Sequence, residues 1–423
     1  HTTNIYENQR MKNKTLTDTL THKDQTAGEW KSIIAGILLT TCGLAVYILM
    51  PLHLGAMMTA LQLTAAQAGI LSGSEYYAMG AASLFAPLWI RRFNWQKMAL
   101  FSSTMACIGH IATIISTDFE LIVAARIFTG LFGQGILYAI SFAVLAETRN
   151  PDRSFGIAIA VATLITAFPL WNGPLLLDLF GRNSVIIVLL GITLLLLPVI
   201  KFTPTGSNKT QQNTSNTTST TFHHRAWIPV AGLAALALWY VGPGGFWAFS
   251  ERIADSQGIS SSEISTVFAL AVGISITGPL LAAGIGDRFG RMWPVFLSTT
   301  LMTLIVLAFS NNIINNAFMP SFILFNVLMG ISCVYLFGLI AIIDTTGKLN
   351  VLTPAFQAIG EGTGPLIMGY LVGSYGYATV GWSYSAFALI ALLLLFPVIF
   401  HINNSASSTV NTIASKHMDK YTG

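Results

Sequence analysis

The chain has 423 residues, of which 53% are hydrophobic and 9% charged. Soluble proteins average about 25% charged residues, so the composition excludes an ordinary soluble enzyme. The net charge of +4 lies mainly in short joints and in the first 31 residues, which gives no basis for a nucleic-acid partner. Cys42, Cys107 and Cys333 lie inside apolar blocks without the spacing of a disulfide framework or a zinc site. We therefore expect neither a metal nor a cofactor.

Apolar blocks recur along the chain, and many reach about 20 residues, the length at which an α-helix crosses a bilayer. The first block begins near Ser32 and is too long for the apolar part of a signal peptide. Because residue 1 is His, we expect Met11 to be the native start and residues 1–10 to be tag or linker. The blocks predict an all-α polytopic membrane protein with twelve transmembrane helices. The predicted spans are residues 32–54, 66–90, 96–116, 120–145, 154–176, 184–200, 226–249, 262–286, 293–310, 318–343, 351–374 and 379–401.

Positive residues predict the orientation of these spans. A cytoplasmic N-terminus places 18 of the 21 Lys and Arg residues in cytoplasmic segments, and such an excess is typical of that side of a membrane. Arg182 and Arg252 then fall in outer loops, and Arg126 falls within a span. We therefore expect both termini to be cytoplasmic and the protein to lie in the lipid bilayer of a bacterial inner membrane.

A polar stretch between spans six and seven divides the chain into halves. Residues 206–221 are rich in Ser, Thr and Asn and contain no large apolar residue, a composition typical of a flexible linker. Two six-helix repeats are typical of transporters whose substrate site lies between the halves. The predicted organisation is a cytoplasmic tail at 1–31, six-helix bundles at 32–200 and 226–401, a cytoplasmic linker at 201–225 and a cytoplasmic tail at 402–423.

The joint between spans eight and nine reads GIGDRFGR at Gly284–Arg291. It resembles a loop motif of the major facilitator superfamily, and the resemblance covers all twelve spans. AETRNPDR at 146–153 resembles the same family's mixed-charge joint. The resemblance implies the family's two-repeat fold and a cytoplasmic gate, although the arginines could instead serve only to anchor the topology. The gate candidates are Asp287, Arg288, Arg291, Glu147, Arg149 and Arg153.

Other motifs of the family are altered in this chain. The first-half joint has Arg91 where the motif's acid is expected and Asn94 where its glycine is expected. The antiporter motif of span five is reduced to a Gly-Pro core at 173–174. Span eleven, in the corresponding position of the second half, matches that motif better with GEGTGPLIMG at Gly360–Gly369. Span five therefore gives no basis for inferring antiport.

Three ionisable residues fall deep inside the predicted spans: Glu75, Arg126 and Glu361. A charged side chain at a helix centre costs about 2.5–3.5 kcal/mol on insertion scales, so each should face a wet cavity or a partner. Both acids lie roughly 14 Å from a surface by helical rise, a depth at which desolvation disfavours the charged carboxylate and a nearby arginine favours it. They are the predicted proton-coupling residues, with Arg126 near them to tune a carboxyl or to bind an anion. The alternatives are permanently neutral acids and an Arg126 that snorkels to the surface.

Two glycine-rich segments predict local backbone features. Gly130 and Gly133 lie on the same helix face as Arg126, in a pattern that resembles another motif of the family, so a neighbouring helix should approach closely there. Span seven contains Gly-Pro-Gly-Gly at 242–245, which predicts a break in its helix.

Aromatic and amide side chains supply candidates for a solute site. Tyr240 and Trp247 share one face of span seven if its helix continues, with an aromatic belt at the outer interface as the alternative. His53 and His110 are predicted to be isolated residues near the interfaces. The predicted substrate-binding residues are Tyr47, Trp171, Asn172, Tyr240, Trp247 and Gln357.

The leading predicted function is secondary active transport of a small organic solute by alternating access, with protons as the coupling partner. Symport of an organic anion is one form of this function, and proton-driven efflux of drugs or metabolites and uniport are alternatives. The sequence shows no Walker loop and no catalytic grouping, so we do not expect an enzyme. A receptor or channel would not need the GIGDRFGR joint or the repeated halves. We expect a monomer.

Overall fold

The computed structural model describes the backbone of residues 2–149, 151–206, 227–286, 288, 290–314, 317–343 and 349–419. Side chains are described for residues 29–149, 153–206, 227–286, 288, 290–314, 317–340, 342–343 and 352–399. Asp287 and residues 207–226 of the predicted linker region lie outside the described residues. The described secondary structure is entirely helical, which confirms the all-α class.

The N-terminal half begins with a long helix and ends in a 3₁₀ turn, Leu197–Phe202. A π-helical segment, Thr129–Gln134, joins its fourth and fifth helices. The helices are α1 Thr2–Leu61, α2 Ala65–Trp89, α3 Trp95–Ile115, α4 Phe119–Phe128, α5 Gly135–Ala146, α6 Pro151–Trp171, α7 Gly173–Phe180 and α8 Ser184–Leu196.

The C-terminal half repeats this plan with longer uninterrupted helices. Its helices are α9 Trp227–Ser256, α10 Ser261–Ile274, α11 Thr277–Ile285, α12 Met292–Ser310, α13 Phe318–Ile343, α14 Leu349–Tyr375 and α15 Ala378–Asp419. The pairs α4–α5, α6–α7 and α10–α11 each correspond to one predicted span. Following the predicted orientation, we call the end of the bundle with the α1–α2 turn the outer end and the end with the α2–α3 turn the inner end.

Most of the helices have the composition of membrane spans. Within the described residues, ten helical segments are long and apolar enough to cross a membrane. Helices α2 and α14, with 25 and 27 residues, have sufficient length but contain more small and polar residues. They occupy the positions predicted for spans two and eleven, and they pack against each other between the two halves.

Polar residues in the turns fix where several helices begin. Thr64 and Gln67 form a capping box at the start of α2, and Asp118 caps α4 through two backbone N–H groups. Asn94, which replaces a motif glycine, accepts a hydrogen bond from the backbone N–H of Lys97 at 3.0 Å and so caps α3. These side chains satisfy backbone donors that the first helical turn leaves unpaired.

Glycines allow α2 and α14 to approach closely. A Cβ atom on Gly73 would lie 2.7 Å from the carbonyl oxygen of Gly362, and one on Gly69 would collide with the backbone at Pro365. Small residues at such positions are typical of tightly packed membrane helices. The contact brings Glu75 and Glu361 onto neighbouring helices at the centre of the bundle.

The predicted break in span seven is wrong, because α9 continues through Pro243. Its glycines contact other helices at short distance: a Cβ on Gly244 would lie 2.6 Å from Cα of Glu361, and one on Gly245 would lie 2.9 Å from the backbone of Gly364. The missing side chains therefore serve helix packing rather than an unwound segment.

Candidate functional site

A buried ion pair joins Arg126 of α4 to Glu75 of α2. The Nε atom of Arg126 donates to Oε2 of Glu75 at 3.1 Å, and its Nη2 atom contacts Oε1. The side chains are 0% and 1% exposed. Arg126 therefore does not snorkel, and each charge is compensated by the other, as burial of an ion requires.

Two further side chains complete the surroundings of Arg126. Its Nη1 atom lies 3.1 Å from Nδ1 of His110, and its Nη2 atom donates to Oε1 of Gln134 at 3.5 Å. Because a guanidinium only donates, Nδ1 of His110 is the acceptor. The prediction that His110 and His53 are isolated interface residues is wrong, since both are buried in the bundle and His110 contacts Arg126. Gln134 was not predicted.

The π-helical segment positions this network. Its wider turn places Gln134 against Arg126, eight residues earlier in the chain. A Cβ on Gly130 would lie 2.7 Å from the carbonyl oxygen of Glu75, and one on Gly133 would lie 2.8 Å from Cβ of Ala106. The predicted close approach beside Arg126 is confirmed, although it occurs in π-helical rather than α-helical backbone. Such segments are frequent at functional sites.

Glu361 lies at the middle of α14 and is only 7% exposed. The Nε2 atom of Gln357, one turn earlier, donates to its Oε1 atom at 3.1 Å. Among the described residues, its Oε2 atom has no hydrogen-bond partner. The ionised form of this carboxyl is therefore only partly compensated, in contrast with the fully paired Glu75.

Four tyrosines, on four different helices, lie within electrostatic range of Glu361. Its carboxyl interacts electrostatically with the phenols of Tyr47, Tyr76, Tyr138 and Tyr240. Tyr47 stacks on Tyr76 with ring centroids 4.6 Å apart, and the Tyr240 hydroxyl lies 3.1 Å from Sγ of Cys333. Of the predicted substrate-binding residues, Tyr47, Tyr240 and Gln357 thus come together around Glu361. Tyr76 and Tyr138 were not predicted, because nothing distinguishes them in sequence from other aromatic residues of apolar spans.

The other predicted substrate-binding residues have different surroundings. Trp247 of α9 donates its Nε1–H to the carbonyl oxygen of Tyr47 at 2.7 Å, and its ring stacks on Phe268. Trp171 is 64% exposed. Asn172 donates its side-chain amide to the carbonyl of Phe168 at 2.9 Å. Trp171 and Asn172 therefore lie at the junction of α6 and α7, and Trp247 lies at the contact between the halves.

A charged cluster joins the halves at the outer end. Arg252 of α9 donates to the carbonyl oxygen of Gly55 and to the Thr59 hydroxyl, both on α1. Its Nε atom lies 3.1 Å from Oε2 of Glu251. Burial raises the pKa of the Tyr377 phenol in the neighbouring α14–α15 turn, and the Arg252 guanidinium opposes that rise. Arg252 was predicted only as an outer-loop residue.

Two of the gate candidates in the mixed-charge joint lie at the inner end of the N-terminal half. The backbone N–H of Arg149 donates to Oε1 of Glu29 at 2.9 Å, and its Nε atom lies 3.5 Å from Oε2. Glu147 is half-buried and lines the same cavity of about 510 Å³ as Arg149 and Glu29. Arg153 is exposed. These candidates remain predictions as gate residues.

Two described residues of the GIGDRFGR joint, Gly286 and Arg291, contact α13. Gly286 and Gly290 have φ angles of +55° and +67°, a left-handed backbone that favours glycine. The Tyr335 hydroxyl donates to the carbonyl of Gly286 at 2.8 Å, and the Arg291 guanidinium lies against Gly338. Arg288 is exposed. Because Asp287 lies outside the described residues, its predicted role as a gate acid stays a prediction.

A second inner cavity is lined mainly by the N-terminal half, with Pro354 contributed by α14. Its volume is about 310 Å³, and its lining is largely apolar. Ser83 and Pro87 of α2, Tyr138 and Phe142 of α5 and Pro354 of α14 contribute to it. The halves thus contact each other at the outer end and the midplane, and this cavity lies beside α14 at the inner end.

These features define a polytopic helical membrane protein built from two contacting halves with a buried acid between them. The chain belongs to the major facilitator superfamily, because the sequence model of the Major Facilitator Superfamily matches residues 35–343 and 244–419. The family predicted from GIGDRFGR and its companion motifs is confirmed. The protein is an integral membrane transporter.

Solved structures with the same fold have low sequence identity to the chain. A mutant form of the nucleoside transporter NupG is 12% identical with a TM-score of 0.67, and the match covers 88% of this chain and 99% of that one. A D-xylose-proton symporter is 14% identical with a TM-score of 0.66, covering 86% and 95%. The human organic anion transporter MFSD10 is 15% identical with a TM-score of 0.60, covering 87% and 99%. A search of curated proteins finds no significant match. At these identities the likeness establishes the fold alone.

Proposed function

We propose that the protein is a proton-coupled secondary transporter that moves a small organic solute by alternating access of its two halves. The observation that carries this proposal is Glu361, a carboxyl buried at the midplane with one oxygen lacking a hydrogen-bond partner among the described residues. Protonation would remove the charge that its surroundings leave uncompensated. A proton on Glu361 therefore changes which conformations the site favours.

The contacts between the halves support alternating access. Arg252 and Trp247 join α9 to α1 towards the outer end, whereas the cavity of about 310 Å³ lies between α2, α5 and α14 at the inner end. From this arrangement we infer an inward-facing state. Opening at the outer end would have to break the Arg252 and Trp247 contacts, so these two side chains stabilise one state over the other.

The Glu75–Arg126 pair has a different proposed role from Glu361. Both acids were predicted as proton-coupling residues, with Glu75 favoured. In the structure the charge of Glu75 is compensated by Arg126, so protonating Glu75 would leave a buried arginine unpaired. We therefore assign the coupled proton to Glu361. We propose that the Glu75–Arg126 pair instead stabilises the N-terminal half. Arg126 is also occupied, so the described site offers no support for an anionic solute.

The remaining functional predictions form part of the proposal. The D-xylose-proton symporter shares this fold, which makes proton coupling compatible with it. Import by symport, efflux by antiport and uniport stay alternatives. From the sequence patterns we propose an inner gate at Asp287, Arg288 and Arg291. We also propose that the protein lies in a bacterial inner membrane with both termini in the cytoplasm, and that it is a monomer.

A solute screen followed by counterflow tests the proposal. The purified protein would be heated with individual metabolites and drugs, since a ligand that binds the folded state raises its apparent stability. Stabilising compounds would then be tested for exchange in proteoliposomes. Exchange without product formation or electrical conductance is expected of a carrier. Conductance that follows Ohm's law, or chemical conversion of the compound, would overturn the proposal.

A further inference from the structure

The buried charges of the bundle do not balance. Among the buried residues that the structure describes, the Asp, Glu, Lys and Arg side chains are Glu75, Arg126 and Glu361. The first two neutralise each other. An ionised Glu361 therefore leaves the described interior with one uncompensated negative charge at the midplane.

Glu361 lies on the same face of α14 as a residue that lines the inner cavity. Pro354 lines that cavity, and Glu361 follows it by seven residues, about 20° around the helix and about 10 Å deeper. Gln357 lies on the same face between them and donates to Glu361. Tyr138 both lines the cavity and interacts electrostatically with the Glu361 carboxyl. A solute entering from the inner end would thus approach this carboxyl along one helix face.

The groups around Glu361 suit a cation. Tyrosine rings attract cations through their faces, by about 2 kcal/mol or more where water is excluded. Gln357 donates to one carboxylate oxygen, whereas the other, Oε2, is buried with no hydrogen-bond partner among the described residues. Five titratable groups described as interacting with Glu361 are uncharged when protonated: Tyr47 of α1, Tyr76 of α2, Tyr138 of α5, Tyr240 of α9 and Cys333 of α13.

We propose that Glu361 binds an organic cation, either an amine or a quaternary ammonium compound, against the surrounding tyrosines. This inference rests on the proposed transport function and names its solute class. One positive charge neutralises Glu361, so the cation and a proton compete for the same carboxylate. Loading the cation releases the proton, and this exchange is the elementary step of antiport.

Binding of charged probes to the purified protein tests the inference. The probes are monovalent cations from tetramethylammonium to tetraphenylphosphonium, with tetraphenylborate as a size-matched anion. We expect at least one cation to bind the wild type and to release a proton, detected by a pH indicator in weakly buffered solution. Glu361→Gln should weaken that binding at least tenfold, and Glu361→Asp should retain part of it. Glu263→Gln, which removes an exposed acid, should bind as the wild type does.

The outcomes separate this inference from the proposed function. Absence of binding by every cation, stronger binding of tetraphenylborate, or cation binding that is unchanged in Glu361→Gln would overturn the cation assignment. The proton release of the wild type decides the competition even if Glu361→Gln does not fold. A neutral or anionic solute that is exchanged in proteoliposomes and driven by a pH gradient would leave the proposed transport standing and overturn only its solute class.

Discussion

Trp247 of α9 donates its indole N–H to the backbone carbonyl of Tyr47 on α1, at 2.7 Å. The bond crosses from one half of the transporter to the other, and Arg252 makes a second crossing to Gly55 nearer the outer end. Tyr47 also interacts electrostatically with Glu361. The contact that we propose keeps the outer end closed therefore involves a residue that interacts with the carboxyl we assign to the proton.

Replacing Trp247 by Phe should favour opening at the outer end. Phe keeps an aromatic ring near Phe268 but loses the bond to Tyr47, which contributes about 1 kcal/mol, or roughly a fivefold change in the ratio of the two states. Spin labels at Ala60 and Ser256, both exposed at the outer ends of α1 and α9, would report the distance between the halves. Trp382→Phe, at a residue that is 64% exposed, is the control. An unchanged distance distribution in Trp247→Phe would show that the bond does not hold this state.

Removing the charge of Glu75 should destabilise the protein. Glu75→Gln leaves Arg126 buried without its counter-charge, which costs about 3–5 kcal/mol. Thermal unfolding of the purified protein should occur at a clearly lower temperature. The double variant Glu75→Gln with Arg126→Gln should recover part of the loss, because it removes both charges. Equal stability of Glu75→Gln and the wild type would mean that the pair contributes little to the fold.

The positions of most helices could be predicted because hydrophobicity is the main property that places a segment in a bilayer. Pairing inside the bundle could not be predicted to the same extent. Arg126 and Glu75 were predicted to need a partner, but His110 and Gln134 were missed, because a polar residue in an apolar span carries no sign of which helix it faces. The resemblance to a known motif identified the family, and it did so from residues at the helix ends.

The errors in the backbone have one cause. The glycines of α9 were interpreted as helix breakers, yet Gly244 and Gly245 lie where α14 approaches closely. In a membrane helix, neighbouring groups satisfy the hydrogen bonds of the backbone, so a glycine can remain helical. Its missing side chain then allows another helix to pack closely. The same limitation hid the π-helical segment at Thr129–Gln134, which contacts α2 and α3.

Packing between α9 and α14 should tolerate no added methyl group at Gly364. A Cβ there would collide with the carbonyl of Val241 and the amide of Gly245, so Gly364→Ala should cost about 1–3 kcal/mol through overpacking. Gly373 lies on the same helix with nothing within 4 Å of an added Cβ. Gly373→Ala should therefore be neutral or slightly stabilising. Thermal unfolding of both variants makes the comparison, and equal loss in the two would contradict the packing described here.

The orientation of the chain is tested at the predicted linker. A cysteine at Ser215 should be protected from an impermeant thiol reagent added to intact cells and should react after the cells are opened, because the positive residues place this segment in the cytoplasm. A cysteine at Asn312, in the turn after α12, should show the opposite pattern. Labelling of the Ser215 site in intact cells would contradict the predicted span count and orientation.

The most direct test of the central claim compares two transport modes of Glu361→Gln in proteoliposomes. With a solute identified by the screen, the variant should lose accumulation driven by a pH gradient, because glutamine cannot carry the coupled proton. Counterflow at saturating solute should persist, because exchange needs no net movement of protons. Glu263→Gln should retain both modes. Full pH-driven accumulation by a folded Glu361→Gln variant would contradict the assignment of the coupled proton to Glu361.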